Sequence, residues 1–383
     1  MTKQHILSGL DRVGSVLPLL KEGRVGLMTN PTGVERRLRP GIDILREKCR
    51  LTALFAVEHG IRGDIQAGVA VDTFIDSETG LTVYSAYGKG SRFTDEMLAA
   101  FDILVFDIQD VGARFYTYLY SLSRAMQACA RAGKRLVVLD RVNPLGGVLR
   151  QGTVIEPQLS SFVGDFGLPT RYGLTIGEYA LYVKALLGLT LDMTVVPLEG
   201  WRRKLLLDDT DLPWVAPSPN CADLATALCY IGTCPFEGTN ISEGRGTTQP
   251  FQLVGAPFLD SSRLADTMNG MNLPGIRFRA CCFTPTFSKH AGRLCRGVQL
   301  HISDREHADV FAAGLLLLQT IRDMAPADFA VLSPASDGKY HLDRILGTTA
   351  FRTGEMTAER ILAAHQPRVE AFSHMVKPYL LYD

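Results

Sequence analysis

Four short apolar runs, each ending abruptly in a polar cluster, constrain this chain more than any other feature. Residues 24–28 run into Thr29-Asn30-Pro31-Thr32-Gly33, and residues 51–57 into Glu58-His59-Gly60-Ile61-Arg62-Gly63-Asp64. Residues 101–107 lead to Asp110, Gly112, Arg114, Tyr116 and Tyr118, and residues 135–139 to Asp140-Arg141-Val142-Asn143-Pro144. Runs this short and continuous read as strands buried on both faces. Helical patterns lie between them, over 41–48, 95–100 and up to about Ala132, where Gly133 supplies a stop. Strands alternating with helices predict a mainly parallel, doubly wound α/β sheet, in which ligands bind outside the carboxyl ends of the strands. Polar clusters at four strand ends therefore predict a cleft.

The flanking segments complete an outline. Residues 7–22 carry leucines and valines near helical spacing, and residues 64–93 are expected to be irregular, with glycines at 68, 80, 88 and 90. Thr175 before the helical stretch 176–187, with Glu178 three residues on, is a capping box that gives Glu178 a structural role. A further strand is expected over 191–196. Pro213, Pro217 and Pro219 mark a change of character, and a domain boundary is placed near residue 220. The first domain, 1–220, is then Rossmann-like. The second, 221–383, is a smaller α/β (α+β) unit with a short helix over 221–231, strands over 276–283 and 295–302, a helix over 307–322 and a helical remainder.

Charge and cysteine usage exclude several classes. Lys+Arg and Asp+Glu both total 40, so no basic excess favours nucleic acid or an anionic membrane surface. No run of about 18 apolar residues is present, and the first residues lack the apolar segment of a signal peptide. None of the eight cysteines forms a Cys-x-x-Cys pair or has a site-like setting, so reduced structural thiols and a cytoplasmic location are expected. The first strand turn lacks the Gly-x-Gly-x-x-Gly of dinucleotide sites, and no Walker loop occurs, so no cofactor is expected. The acidic strand ends keep a carboxylate-bound Mg²⁺ in view, but His-x-His and His-Glu-x-x-His spacings are missing and no metal is assigned. Of the eight histidines only His59 falls in a candidate site; the others are taken as surface or packing residues.

A second signal lies in 236–251. It carries Glu237, Glu243 and Arg245 with Thr239, Asn240, Ser242, Thr247 and Thr248 among three glycines. Fixed polar groups with close backbone approach suit a polyhydroxylated ligand. Glycoside hydrolysis requires an acid to protonate the leaving oxygen and a second group to attack or to activate water, and Glu58 suits the acid.

The motifs Val57-Glu58-His59-Gly60-Ile61-Arg62-Gly63-Asp64, Asp107 through Tyr118, Asp140-Arg141-Val142-Asn143-Pro144 and Phe236-Glu237-Gly238-Thr239-Asn240 through Thr247 together resemble the NamZ family of exo-acting β-N-acetylmuramidases. The resemblance runs from about Arg24 to Asp383. It implies a Rossmann-like domain, a smaller C-terminal domain, an active site between them and Glu58 as catalytic glutamate. The substrate it implies is a non-reducing terminal N-acetylmuramic acid of a peptidoglycan fragment; the missing export signal departs from the family, several members of which are secreted, and favours imported fragments over digestion in the wall. Glu58, His59 and Glu243 are expected in catalysis, with Glu237 or the substrate's acetamido oxygen as alternatives for the second group. Asn30, Arg62, Asp64, Asp107, Asp110, Arg114, Tyr116, Arg141, Asn143, Arg171, Glu237, Thr239, Asn240 and Arg245 are expected to bind substrate, with Arg62, Arg141, Arg171 and Arg245 as candidates for its lactyl carboxylate. A metal-dependent amide or ester hydrolase and a non-catalytic muropeptide binder are the alternatives.

Overall fold

The computed structural model describes residues 3–63, 72–86 and 93–383. The first half is built on a seven-stranded sheet of order β3-β4-β2-β1-β5-β6-β9. Its strands are β1 (Val25–Thr29), β2 (Leu51–Ala56), β3 (Phe74–Ile75), β4 (Thr82–Ser85), β5 (Ile103–Asp107), β6 (Arg135–Leu139) and β9 (Met193–Val196); β7 (Gln151–Val154) and β8 (Pro169–Arg171) form a separate antiparallel pair. Every pairing in the large sheet is parallel except β3–β4. β1 and β5 are buried at every position, as their unbroken apolar runs require. From β1 the chain adds β2 and β4 on one side and then returns to add β5, β6 and β9 on the other. The connections diverge between β1 and β5, which opens a crevice at the carboxyl edge.

Helices α1 (Leu17–Leu20), α2 (Gly41–Lys48), α3 (Asp95–Ala99), α4 (Tyr118–Ala132) and α5 (Ile176–Leu186) accompany this half. The second half holds α6 (Leu224–Thr233), an antiparallel sheet of order β10-β12-β11, and α7 (Ser261–Gly270), α8 (Val310–Met324), α9 (His341–Leu346) and α10 (Ala358–Met375). Its strands are β10 (Leu253–Ala256), β11 (Ile276–Phe283) and β12 (Cys295–Ile302). One apolar cluster runs from Phe55, Leu104 and Val138 through α4 and α5 into α6, α8 and α10, so the two halves share a core. The chain's end is tied back to the first half. Tyr382 donates its hydroxyl to Asp140, Leu381 N donates to Glu178 Oε1 at 2.8 Å, and Arg203 N donates to Asp383 O at 2.8 Å.

The predicted boundaries of β6, β11, β12 and α2 coincide with the observed ones. Gly133 ends α4 in the left-handed conformation, and Thr175 and Glu178 cap α5 reciprocally. Glu178 also binds Arg203 at 2.6 Å, which fits its structural assignment. Two expectations are corrected. The helix over 7–22 reduces to a single 3-10 turn at Val13–Val16 running into α1, because Ser8 and Asp11 bond each other and Gly9 N is drawn to Asp140 O. The stretch 64–93 is not wholly irregular: β4 alternates as Thr82-Val83-Tyr84-Ser85 and joins β2, too short a run to stand out in the sequence. Residues 64–71 and 87–92 of that stretch lie outside the described residues.

Two glycines set the contact between α6 and α8. A Cβ on Gly314 would lie 1.9 Å from Gly232 O, and one on Gly232 would lie 2.1 Å from Val310 O, so the helix backbones touch. Gly314→Ala should therefore force the helices apart and destabilise the protein by about 1–3 kcal/mol, read as a lower melting temperature. Gly270→Ala, in α7 with nothing within 4 Å of the added carbon, should instead be neutral or stabilise by up to about 1 kcal/mol.

Candidate active site

β2 delivers Glu58 and His59 to the carboxyl edge of the sheet, where the chain turns through two consecutive left-handed residues, His59 (φ 72°) and Gly60 (φ 76°). Left-handed backbone costs a residue with a Cβ about 1–2 kcal/mol, so holding His59 there requires a surrounding that fixes it. Thr117 is the N-cap residue of α4, yet its hydroxyl does not cap the helix. It donates to Glu58 Oε2 at 2.7 Å and so orients that carboxyl.

Glu58 and His59 face a cavity of about 410 Å³ with walls from both halves of the chain. Phe115, Tyr116, Phe162, Tyr230 and Phe251 give it an aromatic lining. Phe115 packs edge-on against Tyr230 with centroids 5.0 Å apart, and Tyr230 against Phe251 at 4.6 Å. Burial pushes the Tyr116 and Tyr230 hydroxyls well above the ordinary phenol range, so both are neutral at physiological pH.

A charged wall belongs to the single 3-10 turn Cys234–Gly238 and the glycine-rich loop after it. Arg245 Nη2 donates to Glu237 Oε1 at 2.6 Å, and its guanidinium lies over the Phe251 ring at 4.9 Å. His341 Nε2 stands 3.4 Å from Glu237 Oε2. Burial works to raise the Glu237 carboxyl, but the hydrogen bond from His341 and the adjacent Arg245 charge outweigh it and hold the group well below the usual carboxylate range. Glu243 sits deeper, only 2% exposed. Its Oε1 is 3.3 Å from Arg245 Nε, and its Oε2 is 2.6 Å from Lys289 Nζ, an ion-pair distance without hydrogen-bond alignment. Lys289 is fixed in turn by donating to Phe236 O and Thr239 O.

Of the residues singled out in the sequence, the structure gathers Glu58, His59, Tyr116, Glu237 and Arg245 around the cavity. The others shape the loops behind it. Asn30 Oδ1 accepts from Thr32 N and Oγ1. Arg62 pairs with Asp76 and Glu78, and Asp64 lies outside the described residues. Asp107 holds Arg141 at 2.7 Å, while Asp110 accepts from Gly112 N at 2.8 Å and from the Tyr172 hydroxyl. Arg114 is fully buried and donates to the carbonyls of Thr153, Leu168 and Ile345. Asn143 Nδ2 donates to Leu174 O, and Arg171 donates to Gln151 Oε1 and Leu145 O. Thr239 bonds Phe236 O, and Asn240 bridges Asp328 O and Ala330 N. These polar groups sit at strand ends because the backbone turning there must be satisfied by side chains.

Two expectations need correcting. His59 is not the only histidine at the site, since His341 lines the cavity from the start of α9. Cys221 lines it as well, its thiol pushed up by burial. Thr117 is a third lining residue not singled out; its place between two tyrosines at the start of α4 looks like an ordinary helix cap. Asp107, Asp110 and Asp140 are engaged separately, and no group of three metal-binding side chains gathers among the described residues.

The two family models of the exo-β-N-acetylmuramidase NamZ match this chain, the N-terminal one over residues 25–225 and the C-terminal one over residues 228–382. The chain belongs to the NamZ family. The peptidoglycan β-N-acetylmuramidase NamZ of Bacillus subtilis (strain 168) is 46% identical over 389 aligned positions, covering 99% of this chain and 92% of that protein. Two crystal structures of DUF1343 family proteins from Bacteroides fragilis NCTC 9343 share the fold. One has a TM-score of 0.91 at 34% identity with complete coverage of both chains; the other has 0.76 at 30% identity, covering 99% of each. The cavity is thus lined from both parts that the NamZ family models describe.

Behind the cavity, burial pushes the Asp110 carboxyl up to about 7, against the hydrogen bonds from Tyr172 and Gly112. Between about pH 4 and pH 7 the folded protein keeps a proton there that the unfolded chain has released, so this group's contribution to stability falls as pH rises through that window. Asp110→Asn has no such proton. The melting temperature of the wild type should fall relative to that of the variant between pH 4 and pH 7, and a pH-independent difference would show Asp110 ionised throughout.

Proposed function

We propose that this chain is an exo-acting glycosidase that releases non-reducing terminal N-acetylmuramic acid from β-1,4-linked peptidoglycan fragments, with Glu58 as general acid. The observation that carries the reading is the match to a peptidoglycan β-N-acetylmuramidase along 99% of the chain, with Glu58 oriented by Thr117 in the wall of the shared cavity. As the C1–O bond breaks, Glu58 gives its proton to the leaving oxygen, which offsets the charge developing there. The rings of Phe115, Tyr116 and Tyr230 present apolar surface to the faces of a sugar. Of the four arginines considered for the lactyl carboxylate, Arg245 faces the cavity, and its Nη1 makes no hydrogen bond among the described residues. We assign that contact to Arg245, with Glu243 anchoring it and His59 supporting the turn that carries Glu58. The metal-dependent alternative drew on Glu58, His59, Asp64, Asp107, Asp110 and Asp140, and of these Asp107, Asp110 and Asp140 each have separate partners.

We further place the reaction in the cytoplasm, on imported fragments. All eight cysteines are free, as a reducing compartment keeps them. No described helix is long and apolar enough to cross a membrane.

Selectivity tests the substrate. A chromogenic β-N-acetylmuramide should be cleaved roughly ten- to a hundredfold faster than its N-acetylglucosaminide counterpart, the effect of about 1.5–3 kcal/mol from one charge-assisted contact. Equal rates would remove the muramidase assignment.

Leaving-group dependence tests the acid. Glu58→Gln keeps the shape of the side chain and loses the transferable proton, so cleavage of a disaccharide should slow by about 10²–10⁴-fold. A nitrophenyl glycoside, whose leaving group departs as its anion, should lose much less. Melting curves of both proteins serve as the folding control.

A further inference from the structure

We propose that His341, held by Glu237, is the second proton-transfer group of the reaction: the base that takes a proton from the attacking water. The proposal rests on the glycosidase reading above. His341 owes its position to a close approach. A Cβ on Gly238 would lie 2.6 Å from Leu342 N and Cα, so only glycine lets the start of α9 settle onto the turn that carries Glu237. That contact lays His341 against Glu237 in the wall of the cavity that Glu58 also lines.

Both oxygens of Glu237 are engaged, Oε1 by Arg245 Nη2 at 2.6 Å and Oε2 by His341 Nε2 at 3.4 Å. A carboxylate kept ionised in this way is a weak base. It is instead a good acceptor for the Nε2 proton of a neutral imidazole, which leaves the lone pair on Nδ1. Among the described residues Nδ1 makes no hydrogen bond. The distance of 3.4 Å is long, as catalytic hydrogen bonds often are before substrate draws them in.

The other groups near the cavity serve less well. Glu243 is buried and clamped by Arg245 and Lys289, while the tyrosine hydroxyls and the Cys221 thiol hold their protons. Glu58 comes from the end of β2 and His341 from the second half of the chain, so acid and base stand on different elements of the cavity wall, an arrangement open to attack on the face opposite the leaving group. The step balances. Glu58 gives its proton to the glycosidic oxygen as the C1–O bond breaks, water oxygen bonds to C1, and the water's proton passes to His341 Nδ1. Solvent then returns the proton from the imidazolium to Glu58.

The test uses the full chain and a nitrophenyl β-N-acetylmuramide beside a disaccharide. His341→Ala should lower kcat by about 10²–10³-fold with little change in KM. The loss should be the same for both leaving groups, unlike that of Glu58→Gln. Added imidazole should restore at least about tenfold, in a saturable way, to His341→Ala and not to Glu58→Gln. A His341→Ala variant as active as the wild type would overturn the proposal. So would a folded variant whose loss imidazole does not relieve. If His341→Ala does not fold, His341→Gln with a native melting curve decides, and near-wild-type turnover by it would equally overturn the proposal. Wild-type protein that leaves both muramides intact would instead count against the glycosidase reading itself.

Discussion

Arg114 is the interaction on which the rest of the arrangement depends. Its side chain is fully buried and, among the described residues, pairs with no carboxylate; its guanidinium donates to Thr153 O at 2.8 Å, Leu168 O at 3.3 Å and Ile345 O at 2.5 Å. Burial pulls it down to about 10, still charged at neutral pH. A buried charge is tolerable only where dipoles replace its water, and here they come from three separate segments. One segment is α9, which begins with His341; Arg114 itself immediately precedes Phe115, Tyr116 and Thr117 of the cavity wall. The same side chain that stitches the halves together therefore sets the distance across the site.

The cavity combines a rigid source and an adjustable one. Glu58 comes from the end of a strand whose last four residues are buried within a parallel sheet, and Thr117 from the N-cap of a 15-residue helix. Glu237 and Arg245 come from a short 3-10 turn and a glycine-rich loop, fixed by ion pairs that also engage Glu243 and Lys289. Precision on the first side is thus set by the sheet, and on the second by electrostatics.

Much of this was readable from the residues. Unbroken apolar runs gave β1, β5 and β6, and the capping box gave the start of α5. Glu58, Glu237 and Arg245 stood out because charge among glycines after a strand or turn is costly unless used or paired. Less legible is the division between cavity-facing and loop-holding side chains, which look alike along the chain. Arg114, Arg141 and Arg171 sit at strand ends like substrate arginines, yet they serve carbonyls and Asp107. His341 had no local signal at all, since its partner Glu237 lies more than a hundred positions away and only the approach of α9 to Gly238 brings them together.

The tether at the chain's end carries a consequence for how the molecule is made. Asp140, Glu178 and Arg203 belong to the first half, but their bonds to Tyr382, Leu381 and Asp383 are made by residues synthesised long after them. A ribosome releases the chain from its N-terminus, so the large sheet emerges well before the segment that covers its buried Asp140. Until Tyr382 is made, the Asp140 carboxyl lacks that donor and this edge of the sheet stays open. The nascent first half waits, partly unsealed, for Leu381, Tyr382 and Asp383 to close it.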